Sequence, residues 1–310
     1  MESARSGLAG GARSISASRS EALGVLAAVL SSSLGGINTA ATRYVIGATD
    51  PITLAGLRFG IGFLLVLPFA LALKSRWPKG RDWLGVVLLG ILFYAVFMGL
   101  FNLSLRYTSA ARGALALSTL PLVTMLVAAS LGAEPLTGRK SLGVLVAIGG
   151  VAVALLTGLR DAPQGAWRGD AIMVGAVCCF ALYNVWSRPF IARSSPLGFL
   201  AAGMGSGSLV VCLFAWADGG LAGAGDFDAG QWIAVVYLAL FGGALTFFLW
   251  VFALARTTPT KVTSTITLNP VSASIVAAFL VGEPVGLYLL IGVAAVLTGI
   301  LIASSDHRRC

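Results

Sequence analysis

One segment of this chain occurs twice. A shift of 149 positions carries Pro121 onto Pro270, Glu134-Pro135 onto Glu283-Pro284, Gly143 onto Gly292 and Gly150 onto Gly299. Residues 110–156 thus repeat, without a gap, as residues 259–304, and upstream the same shift carries Trp83 onto Trp232. Earlier residues align at a shift of 145: Arg43 with Arg188, Pro51 with Pro196, Gly60 with Gly205 and Gly62 with Gly207. The change of shift, 149 − 145 = 4, places a four-residue length difference between the second and third segments of the halves. Repetition over about half the length restricts the fold to two similar halves.

The solvent for those halves is lipid. Of the 310 residues 57% are hydrophobic and 11% charged, with a mean hydropathy of +0.92, whereas soluble domains carry about 25% charged residues. Apolar stretches recur at about the 20-residue length that a hydrocarbon core requires. The 39 glycines suit helices that approach closely in lipid. Cys178, Cys179 and Cys212 fall inside apolar stretches and Cys310 ends the chain, without metal-ligand spacing. The single histidine, His307, lies in the C-terminal tail, which excludes histidine chemistry in the membrane. No metal or other cofactor is expected. The net charge of +9 comes from basic residues in the connecting loops, so it carries topology and does not mark a nucleic-acid surface.

Charged and turn residues divide the chain into ten expected helices: 22–46, 51–73, 82–105, 110–132 and 138–157, then 168–192, 196–217, 230–254, 259–281 and 285–304. Pro51, Pro196 and Pro259 stand at helix starts, where a missing N–H costs nothing. With a cytoplasmic N-terminus, fifteen Lys and Arg residues fall on the cytoplasmic side and five (Arg43, Arg106, Arg112, Arg160, Arg168) on the other, while Arg58 lies within the second helix. This asymmetry sets both termini in the cytoplasm. Five helices per half is odd, so the second half enters the membrane from the opposite face. The expected fold is therefore an all-α polytopic membrane protein, with ten transmembrane helices as two inverted five-helix repeats. Its organisation reads as a disordered cytoplasmic tail over 1–21, a first repeat over 22–157, an outer linker over 158–167, an inverted second repeat over 168–304 and a cytoplasmic tail over 305–310. The apolar stretch after the N-terminal tail is too long for a signal-peptide core. Inverted repeats allow a central cavity to open to either side in turn, which points to a transporter.

Several motifs resemble the drug/metabolite transporter superfamily, in its EamA branch. They are Leu105-Arg106-Tyr107-Thr108-Ser109-Ala110-Ala111-Arg112, the pattern Pro121…Glu134-Pro135…Gly143…Gly150 with its second copy, and Arg58 in the second helix. The resemblance extends from about residue 22 to the end. It implies a monomeric ten-helix exporter of small metabolites, including amino acids, in the bacterial inner membrane. The implied cavity is lined by helices 1, 3, 4, 6, 8 and 9.

Polar residues within lipid-spanning segments need a reason. Ser118, Thr263, Thr267 and Asn269 flank Pro121 and Pro270, whose missing N–H groups free backbone carbonyls. These groups either line a substrate site or bond to their own helix. Asn38, Asn102 and Asn184 either bind substrate or bridge helices. Tyr94, Met98, Tyr183, Trp186, Phe247 and Trp250 would give an aromatic-walled cavity suited to an amphipathic substrate. Arg58 either snorkels outward, pairs with Asp50 or Glu283, or recognises a substrate carboxylate; it is placed with Pro121, Glu134, Pro270 and Glu283 among gating and structural residues. Glu134 and Glu283 either cap the following helix or latch alternating gates. The small-molecule substrate and the bilayer are the expected partners. The expected activity is export of an amino acid or related amphipathic compound, with facilitated export favoured since no acid lies deep in a helix. A proton-coupled drug/metabolite antiporter and a non-transporting receptor or scaffold are the rivals. An enzyme is excluded, because no catalytic constellation lies at membrane depth.

Overall fold

The computed structural model describes residues 2–46, 49–104, 107, 116–154, 165–272 and 287–304. Glu283, Pro284, most of the 105–112 motif and Cys310 fall outside them. The described residues are helical, without strands: α1 (Glu2–Ile46), α2 (Pro51–Ala72), α3 (Asp82–Ser104), α4 (Leu120–Ser130), α5 (Gly138–Ala154), α6 (Ala166–Arg193), α7 (Pro196–Ala217), α8 (Ala229–Leu254), α9 (Pro259–Ser264) and α10 (Leu287–Ser304). The boundaries of α2, α3, α6, α7 and α8 fall within three residues of expectation. Within α1, α2, α3, α6, α7 and α8, six stretches are long and apolar enough to cross a membrane, by length and composition. Residues 2–21, expected to lack order, continue α1 as helix. Extending an existing helix avoids the cost of nucleation.

Capping explains several starts. Asp50 accepts hydrogen bonds from the Ile52 and Thr53 N–H groups ahead of Pro51. Burial tends to raise the Asp50 carboxyl pKa, but donors on Thr53 and Ile52 outweigh it and hold the group below the usual carboxylate value. Asp228 and Gln231 form a reciprocal capping box at α8, and Thr258 caps α9. Leu64, Phe69, Leu88, Leu145, Leu209 and Leu301 stay exposed, while Thr53, Asn184, Thr260 and Thr263 are fully buried. A rim this apolar around a polar-containing interior suits lipid as the surrounding solvent.

The packing partners follow the sequence repeat. α1 packs on α8 as α6 packs on α3, and α2 packs on α8 as α7 packs on α3. α5 and α10 lie against each other through the repeated glycines: a Cβ on Gly143 would sit 2.7 Å from the Gly299 carbonyl oxygen, and one on Gly150 would sit 2.8 Å from that of Gly292. Each glycine thus meets the shift-mate of the other, the reciprocal pattern that a two-fold relation between helices produces. α2 and α7 show the same logic. Gly62 meets the Ala239 carbonyl on α8, and its mate Gly207 meets the carbonyl of Gly90 on α3, where Gly90 and Ala239 are themselves 149 apart.

Helical irregularities recur in the same way. Ile91–Phe97 in α3 and Leu238–Leu245 in α8 are π-helical, and the 149 shift brings these stretches into register. Before α4 the chain turns at Ser118–Thr119, and after α9 it tightens to a 3₁₀ turn over Thr265–Thr267, again in register to within a residue or two. Short π segments inside α-helices are frequent at functional sites.

Candidate functional site

The helix ends that carry most of the basic residues meet in a polar cluster. Glu134 follows α4, and its Oε2 accepts from the Lys140 ammonium on α5 at 2.9 Å. Its Oε1 accepts from the Thr260 N–H at 3.1 Å, in the first turn of α9. The carboxylate therefore caps a helix of the other half, and not the following helix. A negative group at that N-terminus is favourable, whereas Lys140 in the first turn of α5 opposes that helix's dipole and needs its partner. Lys261 of α9, also buried, reaches Glu21 of α1 at 2.6 Å. Arg193 and Asp82 form a two-point ion pair on the surface, between the end of α6 and the start of α3.

The centre is aromatic. Phe93 lies 4.3 Å from Tyr183, 4.8 Å from Phe180, 5.0 Å from Tyr94, 5.1 Å from Phe97 and 5.2 Å from Phe247, centroid to centroid. Trp250 closes the cluster against Phe180, and its indole N–H donates to the Asn184 Oδ1 at 2.8 Å. The Asn184 amide N–H donates to the Phe180 carbonyl. Asn184 is therefore a bridge between α6 and α8. Tyr94, Tyr183, Phe247 and Trp250 come together here, with Met98 packed against them. Trp186 does not, since it is 45% exposed on the opposite face of α6.

Beside the rings runs a polar seam between α1, α8 and α9. Ser31 donates to the Thr246 carbonyl, Ser32 and Thr265 share a hydrogen bond, and the Asn38 amide N–H donates to the Thr246 hydroxyl at 3.4 Å. The Thr246 hydroxyl itself donates to the Phe241 carbonyl within the π segment. Asn269 lies against Gly35, and its Oδ1, like that of Asn38, is buried without a partner. Ser31, Ser32, Thr246 and Thr265 had no warning in sequence beyond being small and polar, and neither did the burial of Lys140 and Lys261.

Other expected residues do different work. Asn102 donates to the Pro51 carbonyl at the far end of the bundle. Thr263 bonds to the Pro259 and Thr260 carbonyls and Thr267 to that of Ser264, so both hydroxyls are spent on their own helix. Ser118 is buried at the turn ahead of α4. Pro121 stands in the first turn of α4, just past the Ser118–Thr119 turn that separates α4 from helical residues 116–117, and Pro270 is buried three residues past the 3₁₀ turn. Arg58 neither snorkels nor pairs with Asp50, whose Oδ1 serves the α2 cap. Its Nη2 donates to the Gly242 carbonyl in the π segment at 2.6 Å. Glu283 lies outside the described residues. Among the described residues no group of acids, cysteines and histidine is placed to hold a metal.

The family model described as the EamA-like transporter family matches residues 22–156 and again 167–305. The chain is 28% identical over 274 residues to YyaM, a transporter of Bacillus subtilis (strain 168), covering 86% of this chain and 88% of the relative. It is 27% identical over 259 residues to a probable terminal-alkyne amino-acid exporter of Streptantibioticus cattleyicolor, covering 82% and 84%. Over 247 residues it is 26% identical to YedA, an inner membrane transporter of Escherichia coli (strain K12), covering 78% and 77%. A crystal structure with 22% sequence identity superposes with a TM-score of 0.76 over 94% of this chain and 99% of the other, a likeness of fold.

Proposed function

The chain belongs to the EamA-like transporter family, and on that premise we propose that it exports an amino acid or a similarly amphipathic metabolite. In this reading two inverted five-helix halves, alone as a monomer in the bacterial inner membrane, expose a site between them to either face in turn. The observation that carries it is the paired irregularity: π segments in α3 and α8 and breaks beside Pro121 and Pro270, in register under one shift. Matched weak points on facing helices give two related closures of one site, which is what alternation needs. The reciprocal glycine contacts of α5 with α10 support the inverted relation. The relative from Streptantibioticus, by its name an amino-acid exporter, supports the substrate class.

The polar cluster of Glu134, Lys140, Thr260, Glu21 and Lys261 is then the closed cytoplasmic gate, with both termini on that side. Both acids are committed to lysines, which favours downhill, facilitated movement over proton exchange. Two measurements test the reading. Single cysteines at 136 and 285 label from opposite faces of the membrane; labelling from one face refutes the inversion. Proteoliposomes preloaded with amino acids release some of them faster than empty-vesicle controls, at a rate indifferent to an imposed pH gradient. A panel without any accelerated solute refutes transport, and acceleration by the gradient refutes the facilitated mode.

A further inference from the structure

We propose that the centre of the molecule has one polar and one aromatic pole, and that Arg58 and Asn38 at the polar pole bind the carboxylate and ammonium groups of an amino acid whose side chain lies among the rings. The assignment rests on the transport reading above and names its substrate class.

Arg58 sits seven residues past Pro51, about 10 Å into α2. Its guanidinium is anchored by the Gly242 carbonyl, and its Nε is sealed from the surface without a partner. No acid among the described residues pairs with it. Arginine keeps its charge in such surroundings, and a cation without a counter-charge at membrane depth is costly. A free Nε–H beside an anchored Nη is the donor fork that takes a carboxylate through two oxygens.

Asn38 supplies the opposite need. The Thr246 hydroxyl spends its proton on the Phe241 carbonyl, so toward Asn38 it can only accept. That fixes the amide, with nitrogen toward Thr246 and the Oδ1 left as a buried acceptor without a donor. An ammonium group meets that lack. The anchors of the two side chains on α8, Gly242 and Thr246, are four residues apart, about one turn, so Arg58 from α2 and Asn38 from α1 converge on the same stretch of α8.

The repeat then explains the second pole. Under the shifts of 145 and 149, Asn38 corresponds to Tyr183, Arg58 to Gly203, Gly242 to Phe93 and Thr246 to Phe97. At these four pairs of positions the group that takes part in hydrogen bonding faces a counterpart that is a ring or a glycine. Tyr183 and Phe97 stack on Phe93. Phe59 joins the poles: the Arg58 guanidinium carbon lies 5.4 Å from its ring centre, and Tyr94 and Phe247 lie 5.0 and 5.8 Å beyond. The scaffold is duplicated but its lining is not, and the lining matches an α-amino acid with an apolar or aromatic side chain. In the conformation described the rings touch one another, so the ligand enters as the halves part.

The test is equilibrium binding of labelled L-phenylalanine to the purified full chain in detergent, with phenethylamine and 3-phenylpropionate as competitors. Wild type binds phenylalanine, and phenylpropionate, which keeps the carboxylate, competes better than phenethylamine. Arg58→Gln weakens phenylalanine about 10- to 100-fold, the scale of a hydrogen-bonded charge, while phenethylamine competition is unchanged. Arg58→Lys falls between the two, since an ammonium lacks the fork. Gly242→Ala also weakens phenylalanine although Arg58 remains, because the added Cβ would lie 2.8 Å from Nη2 and displace it; this variant stands in for Arg58→Gln if the latter fails to fold. Failure of wild type to bind phenylalanine, equal competition by the amine, or undiminished binding in Arg58→Gln or Gly242→Ala overturns the assignment. Flux of another solute class in proteoliposomes alongside such a result leaves the transport reading standing, whereas absence of any flux removes both.

Discussion

Replacing Glu134 by Gln separates charge from hydrogen bonding at the contact that joins the halves. The carboxylate serves two partners, the Lys140 ammonium at 2.9 Å and the Thr260 N–H at 3.1 Å. The side chains of Lys140 and Glu134 are 6% and 1% exposed. Gln keeps one acceptor oxygen, enough for Thr260, and leaves the ammonium buried without a counter-charge. Breaking a buried pair in this way costs about 3–5 kcal/mol. Removing the ammonium as well, in Glu134→Gln with Lys140→Met, leaves a neutral cap on α9 and a loss of about 1 kcal/mol. Adding Lys140→Met should therefore recover about 2–4 kcal/mol of that loss, where independent sites would add a further loss. Because the bond runs from the α4–α5 connection to α9, the loss falls on closure of this end as well as on stability. A loss of about 3 kcal/mol changes a closed-to-open ratio roughly 150-fold. The assay combines melting in detergent with maleimide labelling of Thr257→Cys, a position 3% exposed beside the cluster. Glu134→Gln lowers the melting temperature and speeds labelling, and the double variant restores both most of the way. A double variant no better than the single one by either measure refutes the reasoning.

Three further outcomes follow from the packing. Gly143→Ala places a Cβ 2.6 Å from the Ala303 nitrogen and lowers stability by about 1–3 kcal/mol in a melting assay, whereas Gly149→Ala, with nothing within 4 Å, leaves it unchanged. Trp250→Phe strands the buried Asn184 Oδ1 and costs about 1–3 kcal/mol of stability; Trp186→Ala, on the exposed face, leaves substrate affinity at the wild-type value. Asp50→Ala loses the α2 cap, about 1 kcal/mol. Since folding lowers the Asp50 pKa, its contribution is complete above the ordinary value of 3.8 and is lost only as pH falls through the lower folded value, so wild type and variant differ by a constant amount between neutral and mildly acidic pH.

The repeat was legible because proline, glycine and the Glu-Pro pair are positions where few other residues serve, so both copies kept them. Helix limits were legible because lipid forces charge to the ends. The π segments were not, since no residue type marks an i→i+5 turn and Ile91–Phe97 reads as any apolar helix. Arg58 shows the consequence: the sequence offers solvent, acids or a substrate carboxylate as its partner, while the group that holds it is the Gly242 carbonyl in the π segment. Asn184 and Trp250 each looked fit to touch substrate, and only their folded proximity shows that they satisfy one another. The missing N–H of Pro121 announces freed carbonyls, but not that the chain turns at Ser118–Thr119 ahead of it. The tail's composition suggested disorder because polar segments were judged without the helix they extend.

The crossed contacts of Gly143 with Gly299 and Gly150 with Gly292 tie the history of one half to the other. A larger residue at Gly143, Gly150 or Gly299 is felt by the opposite helix and not merely by its own. Along this seam, then, each copy serves as the template that the other must keep fitting.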